Sequence, residues 1–172
     1  MQHVNIEIKA RCHDHEKIRR ILKEHQADFR GVDHQTDTYF KAASGRLKLR
    51  EGNIENNLIH YLRENTEGPK QADITLFKTS FGSGLKEILT KSMGILVVVD
   101  KQREIYFIDN VKFHLDTVKS LGTFVEIEAI GENADADKEQ LLVQCRHYLS
   151  LFSISEDDLV ADSYSDMLLR YP

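Results

Sequence analysis

Charged side chains recur at every second position in several short stretches of this chain. Glu7 and Lys9 alternate with Val4, Ile6, Ile8 and Ala10; Arg46, Lys48 and Arg50 alternate with Leu47 and Leu49; Glu126 and Glu128 sit two apart. Successive strand side chains point to opposite sides, so each stretch reads as a strand with one polar face. Pooled over all such faces, the cations are Lys9, Arg11, Arg46, Lys48, Arg50, Arg63, Lys78, Lys101 and Arg103, and the carboxylates are Glu7, Asp116, Glu126 and Glu128. Cations this crowded repel one another unless an anion joins them. A polyanion such as a triphosphate would do so, its oxygens bridged by Arg forks and Lys point charges. The carboxylates suit a hard divalent cation, Mg²⁺ or Mn²⁺, which binds through one or two carboxylates plus substrate phosphates.

Two arrangements of these faces remain open on alternation alone. They could form a solvated outer surface studded with salt bridges, or line the inside of a closed sheet. In the second case the apolar faces turn outward and need amphipathic helices to cover them. The elements that must do the positioning follow in order. Strand 4–11 leads to a helix from the Asp14 cap to about residue 27, with Ile18, Ile21, Leu22 and His25 at helical spacing. Strands are expected at 32–41, 46–50, 58–64 and 73–79, separated by a turn at Ser44-Gly45, a loop at 53–57 and a flexible turn at 66–70. A short helix runs from Leu85 to near Gly94. Strand-like stretches then cover 95–102 and 103–108, which could be one bent strand, followed by strands from 111 to 116 and from 123 to 130. The pattern is helical from Ala134, and Ser155 could cap a last helix toward Leu169. Many antiparallel-looking strands with few helices make the class α+β.

Length and composition set the outer limits. The chain has 172 residues, 41% apolar and 30% charged, which fits one domain able to bury a core. A net charge of −5 argues against nucleic acid as a partner. Two cysteines, Cys12 and Cys145, form no disulfide framework. With no signal peptide visible and 95–99 the longest apolar run, the expectation is a cytoplasmic protein with no membrane partner. Cys12-His13-x-His15 lacks a fourth zinc ligand at a definite spacing. Gly82-x-Gly84 lacks the rest of a dinucleotide fingerprint.

Asn5-Ile6-Glu7-Ile8-Lys9 resembles the Glu-x-Glu-x-Lys signature of CYTH domain proteins, the triphosphate tunnel metalloenzymes. That family includes class IV adenylyl cyclases, thiamine triphosphatases and inorganic tripolyphosphatases. The similarity continues through Gln35-Thr36-Asp37-Thr38-Tyr39-Phe40, 46–51, 61–63 and Lys101-Gln102-Arg103. It then runs through His114-Leu115-Asp116, Gly122 to Glu128 and Ser163 to Leu168, covering nearly the whole chain in order. The resemblance implies an eight-stranded antiparallel β-barrel with flanking helices, one domain over 1–172 with C-terminal helices at 134–170 packed on the barrel.

Carried over by position, Glu7, Glu126 and Glu128 would ligate Mg²⁺ or Mn²⁺, with Asp116 a helper. Lys9, Lys48, Arg50, Arg63, Lys78, Lys101 and Arg103 would grip phosphates, and Lys9, Arg63, Lys101 and Arg103 would be catalytic. The motif order is closest to the adenylyl cyclase-like branch, which turns ATP into cyclic AMP and pyrophosphate. Hydrolysis of thiamine triphosphate or tripolyphosphate, and non-catalytic binding of a nucleotide or polyphosphate, remain open. The resemblance also allows a homodimer. One departure stands out: Asn5 replaces the first Glu of the signature, offering a carbonyl oxygen without charge.

Overall fold

Strand β1 (Gln2–Arg11) is hydrogen-bonded on both sides, and that closes the sheet. The computed structural model describes residues 2–133 and 136–171. After β1 come α1 (His15–Glu24), β2 (Asp28–Phe40), β3 (Arg46–Glu51), β4 (Asn56–Arg63), β5 (Lys70–Lys78) and α2 (Leu85–Met93). Then follow β6 (Ile95–Ile108), β7 (Val111–Val118), β8 (Gly122–Ile130), α3 (Lys138–Leu151), a 3₁₀ turn (Glu156–Asp158) and α4 (Tyr164–Arg170). The eight strands form a closed antiparallel barrel in the order β1-β5-β4-β3-β2-β6-β7-β8. Among the described residues, no helix is long and apolar enough to cross a membrane.

The hydrophobic core lies outside the barrel. Ile6, Ile8 and Ala10 of β1, Val111, Phe113 and Leu115 of β7, and Val125, Ile127 and Ala129 of β8 pack against Ile18 and Leu22 of α1. Leu141 and Cys145 of α3, with Phe152 just beyond it, complete this core. The two helices of this layer, α1 and α3, each start on a polar cap that satisfies otherwise orphaned N–H groups. Asp14 accepts from the Lys17 N–H at 3.0 Å, and Asp137 from the N–H groups of Glu139 and Gln140. A smaller cluster fills one end of the barrel, where Tyr164 and Met167 of α4 meet Tyr39, Tyr61, Val99 and Phe124.

The closed, charge-lined barrel matches the second of the two arrangements, and the expected strands are all present. Several boundaries differ. Residues 95–108 form one strand. Asn56 and Asn57 belong to β4 rather than to a loop. Lys70 opens β5 instead of ending a turn, because its buried ammonium donates to the Val160 carbonyl at 2.6 Å. The helical start expected at Ala134 falls outside the described residues, and α3 begins at Lys138. The expected last helix is two elements. Ser155 caps only the 3₁₀ turn, since Leu159 then bridges to Ala10 and the Val160 N–H donates to the Lys9 carbonyl. A fresh capping box, Ser163 with Asp166, starts α4 and turns it across the barrel mouth.

Phe113 is fully buried where β7 meets α3, edge-on to Tyr148 at 4.7 Å and to Phe152 at 5.6 Å. We predict that Phe113→Ala lowers the unfolding free energy by about 3–5 kcal/mol, as measured by denaturant titration. A loss under about 1 kcal/mol would mean that the helix–barrel layer is not the stabilising core.

Candidate functional site

Because strand side chains alternate, the odd residues of β1 that look away from the helices point inward, and so do their partners around the ring. They enclose a cavity of about 390 Å³, within the range of small-molecule sites. Its lining includes Asn5, Glu7, Lys9, Lys48, Arg50, Glu55, Arg63, Lys101, Arg103, Lys112, His114, Glu126 and Glu128. The strand order sets β3 opposite β8. Lys48 and Arg50 therefore stand across the cavity from Glu126 and Glu128, a cationic wall facing an acidic one. Ile59 of β4 and Ala72, Ile74 and Leu76 of β5 add an apolar flank.

Two fully buried carboxylates brace the cations from behind. Asp37 takes the Arg50 fork, Nε and one terminal nitrogen both at 2.9 Å, together with Lys101 at 2.7 Å and Lys48 at 3.2 Å. Burial raises the Asp37 carboxyl, but Arg50, Lys101 and Lys48 more than reverse this and hold it well below the usual range. Asp116 takes the Arg103 fork at 2.7 and 2.5 Å and accepts from the Tyr164 hydroxyl at 2.7 Å. Lys101 is in the opposite position from Asp37. Burial lowers it, Asp37 restores part, and Arg50 and Arg103 lower it again, to about 7 from the ordinary 10.5.

The carboxylates of the acidic wall differ in how free they are. Glu126 is taken by Lys9 at 3.0 Å, Arg103 at 2.9 Å and His114 Nδ1 at 2.9 Å. Glu7 is paired with Arg63. Glu128 faces Glu7 directly across the β1–β8 pair and accepts from the Asn5 side-chain N–H. Burial holds the Glu128 carboxyl above the ordinary range, Lys112 pulls it down, and the Glu7 charge pushes it up again. The Asn5 carbonyl Oδ1 beside it is buried without a partner. Neighbouring oxygens of this kind suit a hard divalent cation. Among the described residues, no three His, Cys, Asp or Glu side chains are close enough to form a ready metal cluster. Arg63 completes the picture: its Nε and one terminal nitrogen are buried with no partner.

The structure brings together Glu7, Lys9, Lys48, Arg50, Arg63, Lys101, Arg103, Glu126 and Glu128 around one space, with Asp116 just behind. Lys78, the last residue of β5, is exposed and is not itself in the lining, although it stands in register with the lining residue Asn57. Arg11 reaches out to the Leu121 carbonyl, and Arg46 is held by Asp166 at 2.7 Å, anchoring α4. The sequence reading missed Asp37, Lys112 and His114, although each sits in register on an alternating polar face. Lys70 was hidden by the misplaced turn. Glu55 had no periodic signal at all, being on a loop. As a result the lining is less cationic than the sequence suggested.

Residues 3–164 match the model of the CYTH domain. A Methanocaldococcus jannaschii protein named "putative adenylate cyclase" is 24% identical, covering 95% of this chain and 98% of its own length. The solved structure of the Pyrococcus horikoshii protein PH1012 superposes with a TM-score of 0.77 at 26% identity, over 94% of this chain and 98% of that one. A Hippeastrum protein described as a "putative adenylyl cyclase" with a dominant triphosphatase activity superposes at 0.64 with 14% identity, over 97% and 94% of the two chains.

Lys101 also gives the site a pH signature. Its folded pKa, about 7, lies below its ordinary 10.5, so between these values the unfolded chain binds more protons than the folded one. The cost of the buried ammonium is therefore fully present below pH 7 and is relieved as pH rises toward 10.5. In Lys101→Met, Arg50 and Lys48 still hold Asp37. We predict that the stability difference between wild type and variant moves in favour of wild type from pH 7 to pH 10, as read by denaturant unfolding. A pH-independent difference would contradict the depressed Lys101.

Proposed function

Because the chain belongs to the CYTH domain family, we propose that the whole of it, 1–172, acts as one metal-dependent enzyme domain on an organic triphosphate. Our preferred reaction is that of a class IV adenylyl cyclase, ATP to cyclic AMP and pyrophosphate. The observation that carries the reading is the cavity itself, a cationic wall facing an acidic one beside an apolar flank. A polyphosphate chain fits between such walls, and the Ile59, Ile74 and Leu76 flank gives an organic group somewhere to rest. That flank would serve no purpose for inorganic tripolyphosphate.

In this reading Lys48, Arg50, Lys101 and Arg103 grip phosphate oxygens from positions already fixed by Asp37 and Asp116. Such donors stabilise developing charge without reorganising. The unpartnered Arg63 donors and Lys9 approach from the β1–β4 side. Glu7, Glu128 and the Asn5 carbonyl would hold a divalent cation, with Glu126 joining if Lys9 and Arg103 turn to phosphate. Asp116, committed to Arg103 and Tyr164, serves as a counter-charge. The bound cation, Mg²⁺ or Mn²⁺, would neutralise phosphate charge and polarise the reacting phosphoryl group. Attack by the ribose 3′-hydroxyl on the α-phosphorus releases pyrophosphate, whereas attack by water on a terminal phosphorus makes the same site a triphosphatase. The Hippeastrum protein's activity keeps the hydrolytic reading alive.

Incubation with ATP, thiamine triphosphate and tripolyphosphate, each with Mg²⁺ or Mn²⁺, separates the readings by product. Cyclic AMP with pyrophosphate is the expected outcome. Inorganic phosphate together with the matching diphosphate, and no cyclic AMP, would make the protein a hydrolase, and binding without turnover a sensor. Asn5→Glu tests the metal assignment separately. Placed beside Glu7 and Glu128, the new carboxylate should destabilise the metal-free protein and make the Mn²⁺-induced rise in melting temperature larger than in wild type. An equal or smaller rise would place Asn5 outside the metal site.

A further inference from the structure

The loop between β3 and β4 is built to hold one carboxylate inside the cavity. Asp33, fully buried on β2, accepts from the Ile54 N–H at 2.9 Å, the Glu55 N–H at 2.9 Å and Gln35 Nε2 at 2.8 Å. Gly52 lies so close to the Asp33 carboxylate that a Cβ there would meet it at 2.6 Å. This bracket fixes the Glu55 backbone. The Glu55 carboxylate itself is held only by side chains: Arg50 at 3.0 Å, Gln35 at 3.2 Å, and Lys112.

Arg50 does not depend on Glu55 for its position. Its Nε and one terminal nitrogen are forked onto Asp37, and only the remaining nitrogen reaches Glu55. Arg50 is thus anchored without Glu55, and among the described residues no backbone group holds the Glu55 carboxylate. A carboxylate with one charge, bridging Arg and Lys, holds the place a phosphate oxygen would take with more charge. Resting on the triphosphate reading, we propose that Arg50 and Lys112 form a further oxyanion subsite, occupied by Glu55 until a phosphate displaces it. Glu55 thereby determines specificity: ligands with too little charge cannot displace it.

The test is calorimetric titration of tripolyphosphate and pyrophosphate into the full chain with EDTA present. Glu55→Gln should bind tripolyphosphate about tenfold more tightly, the equivalent of one charge-assisted hydrogen bond no longer contested. Pyrophosphate should gain at least as much, so discrimination between the two falls. Lys112→Met should weaken tripolyphosphate binding. Affinity in Glu55→Gln that is weaker or within about twofold of wild type overturns the proposal. So does unchanged or tighter binding in Lys112→Met, which would mean that Lys112 serves only to hold Glu55. Should Glu55→Gln not fold, Lys112→Met decides alone. A wild type that binds tripolyphosphate neither in EDTA nor with Mn²⁺ sinks the triphosphate reading as well; where it binds only with Mn²⁺, the same comparison of variants is read there. A wild type that binds, with Glu55→Gln no tighter, sinks this inference only.

Discussion

A closed sheet lined with charge imposes one constraint on everything else: each buried charge needs a counter-charge within reach. Asp37 and Asp116 meet it at two points, each carrying one arginine as a fork and fixing its plane. Such pairs add little net stability, because desolvation offsets most of the attraction, yet removing one partner is costly. The folding free energy must then come from elsewhere. It comes from the outer faces of β1, β7 and β8 under α1 and α3, where the apolar residues are continuous and fully buried. The barrel is stabilised from outside and organised from inside.

This division explains the two ends of the barrel. At one end α4 turns across the mouth, and Tyr164 serves both regimes. Its ring packs on Phe124 and under the Lys9 ammonium, and its hydroxyl completes Asp116. Lys70, pushed down to about 8 by burial with Arg63 and Lys9 nearby, is quenched there by a backbone carbonyl. That end is closed by satisfied groups. Of the buried side-chain atoms left without a partner among the described residues, the Asn5 carbonyl, the Arg63 donors and His114 Nε2 belong to the cavity lining, whereas Gln35 Oε1 and Thr38 Oγ1 lie on β2 outside it.

How much of this was legible beforehand depended on the period of the pattern. The inward set on β1, β3, β6 and β8 alternates strictly, so Glu7, Lys9, Lys48, Arg50, Lys101, Arg103, Glu126 and Glu128 could be picked out as one face. Closure could not be read from alternation, because a solvated outer face has the same period; resemblance to a family supplied it. Asp37 was visible on a face with Asp33, Gln35 and Tyr39, but its role as a hub was masked because the cations it holds come from β3 and β6. Glu55 was invisible, since a loop has no period and its placement depends on Asp33, distant in sequence. The break between the 3₁₀ turn and α4 was missed for a related reason. A bridge from Leu159 to Ala10 overrides a helical pattern that local sequence alone would continue.

Arg63 is the exception that gives the interior a direction. Arg50 and Arg103 each have a bidentate partner, whereas Arg63 contacts Glu7 through one nitrogen and leaves two buried donors unpaired. Leaving such a donor unmade costs about 1–3 kcal/mol, and a native chain tolerates that where something else is meant to accept. Glu7 is also the residue that faces Glu128 across β1 and β8, so the Arg63–Glu7 contact joins the unsatisfied donors to the crowded carboxylates. An anion that took Arg63 would free Glu7, and a cation that took Glu7 and Glu128 would free Arg63. Each event removes the competitor of the other. In the proposed function, binding of anion and cation at this point would therefore be coupled through a single ion pair, and a metal–polyphosphate complex would use both halves of it.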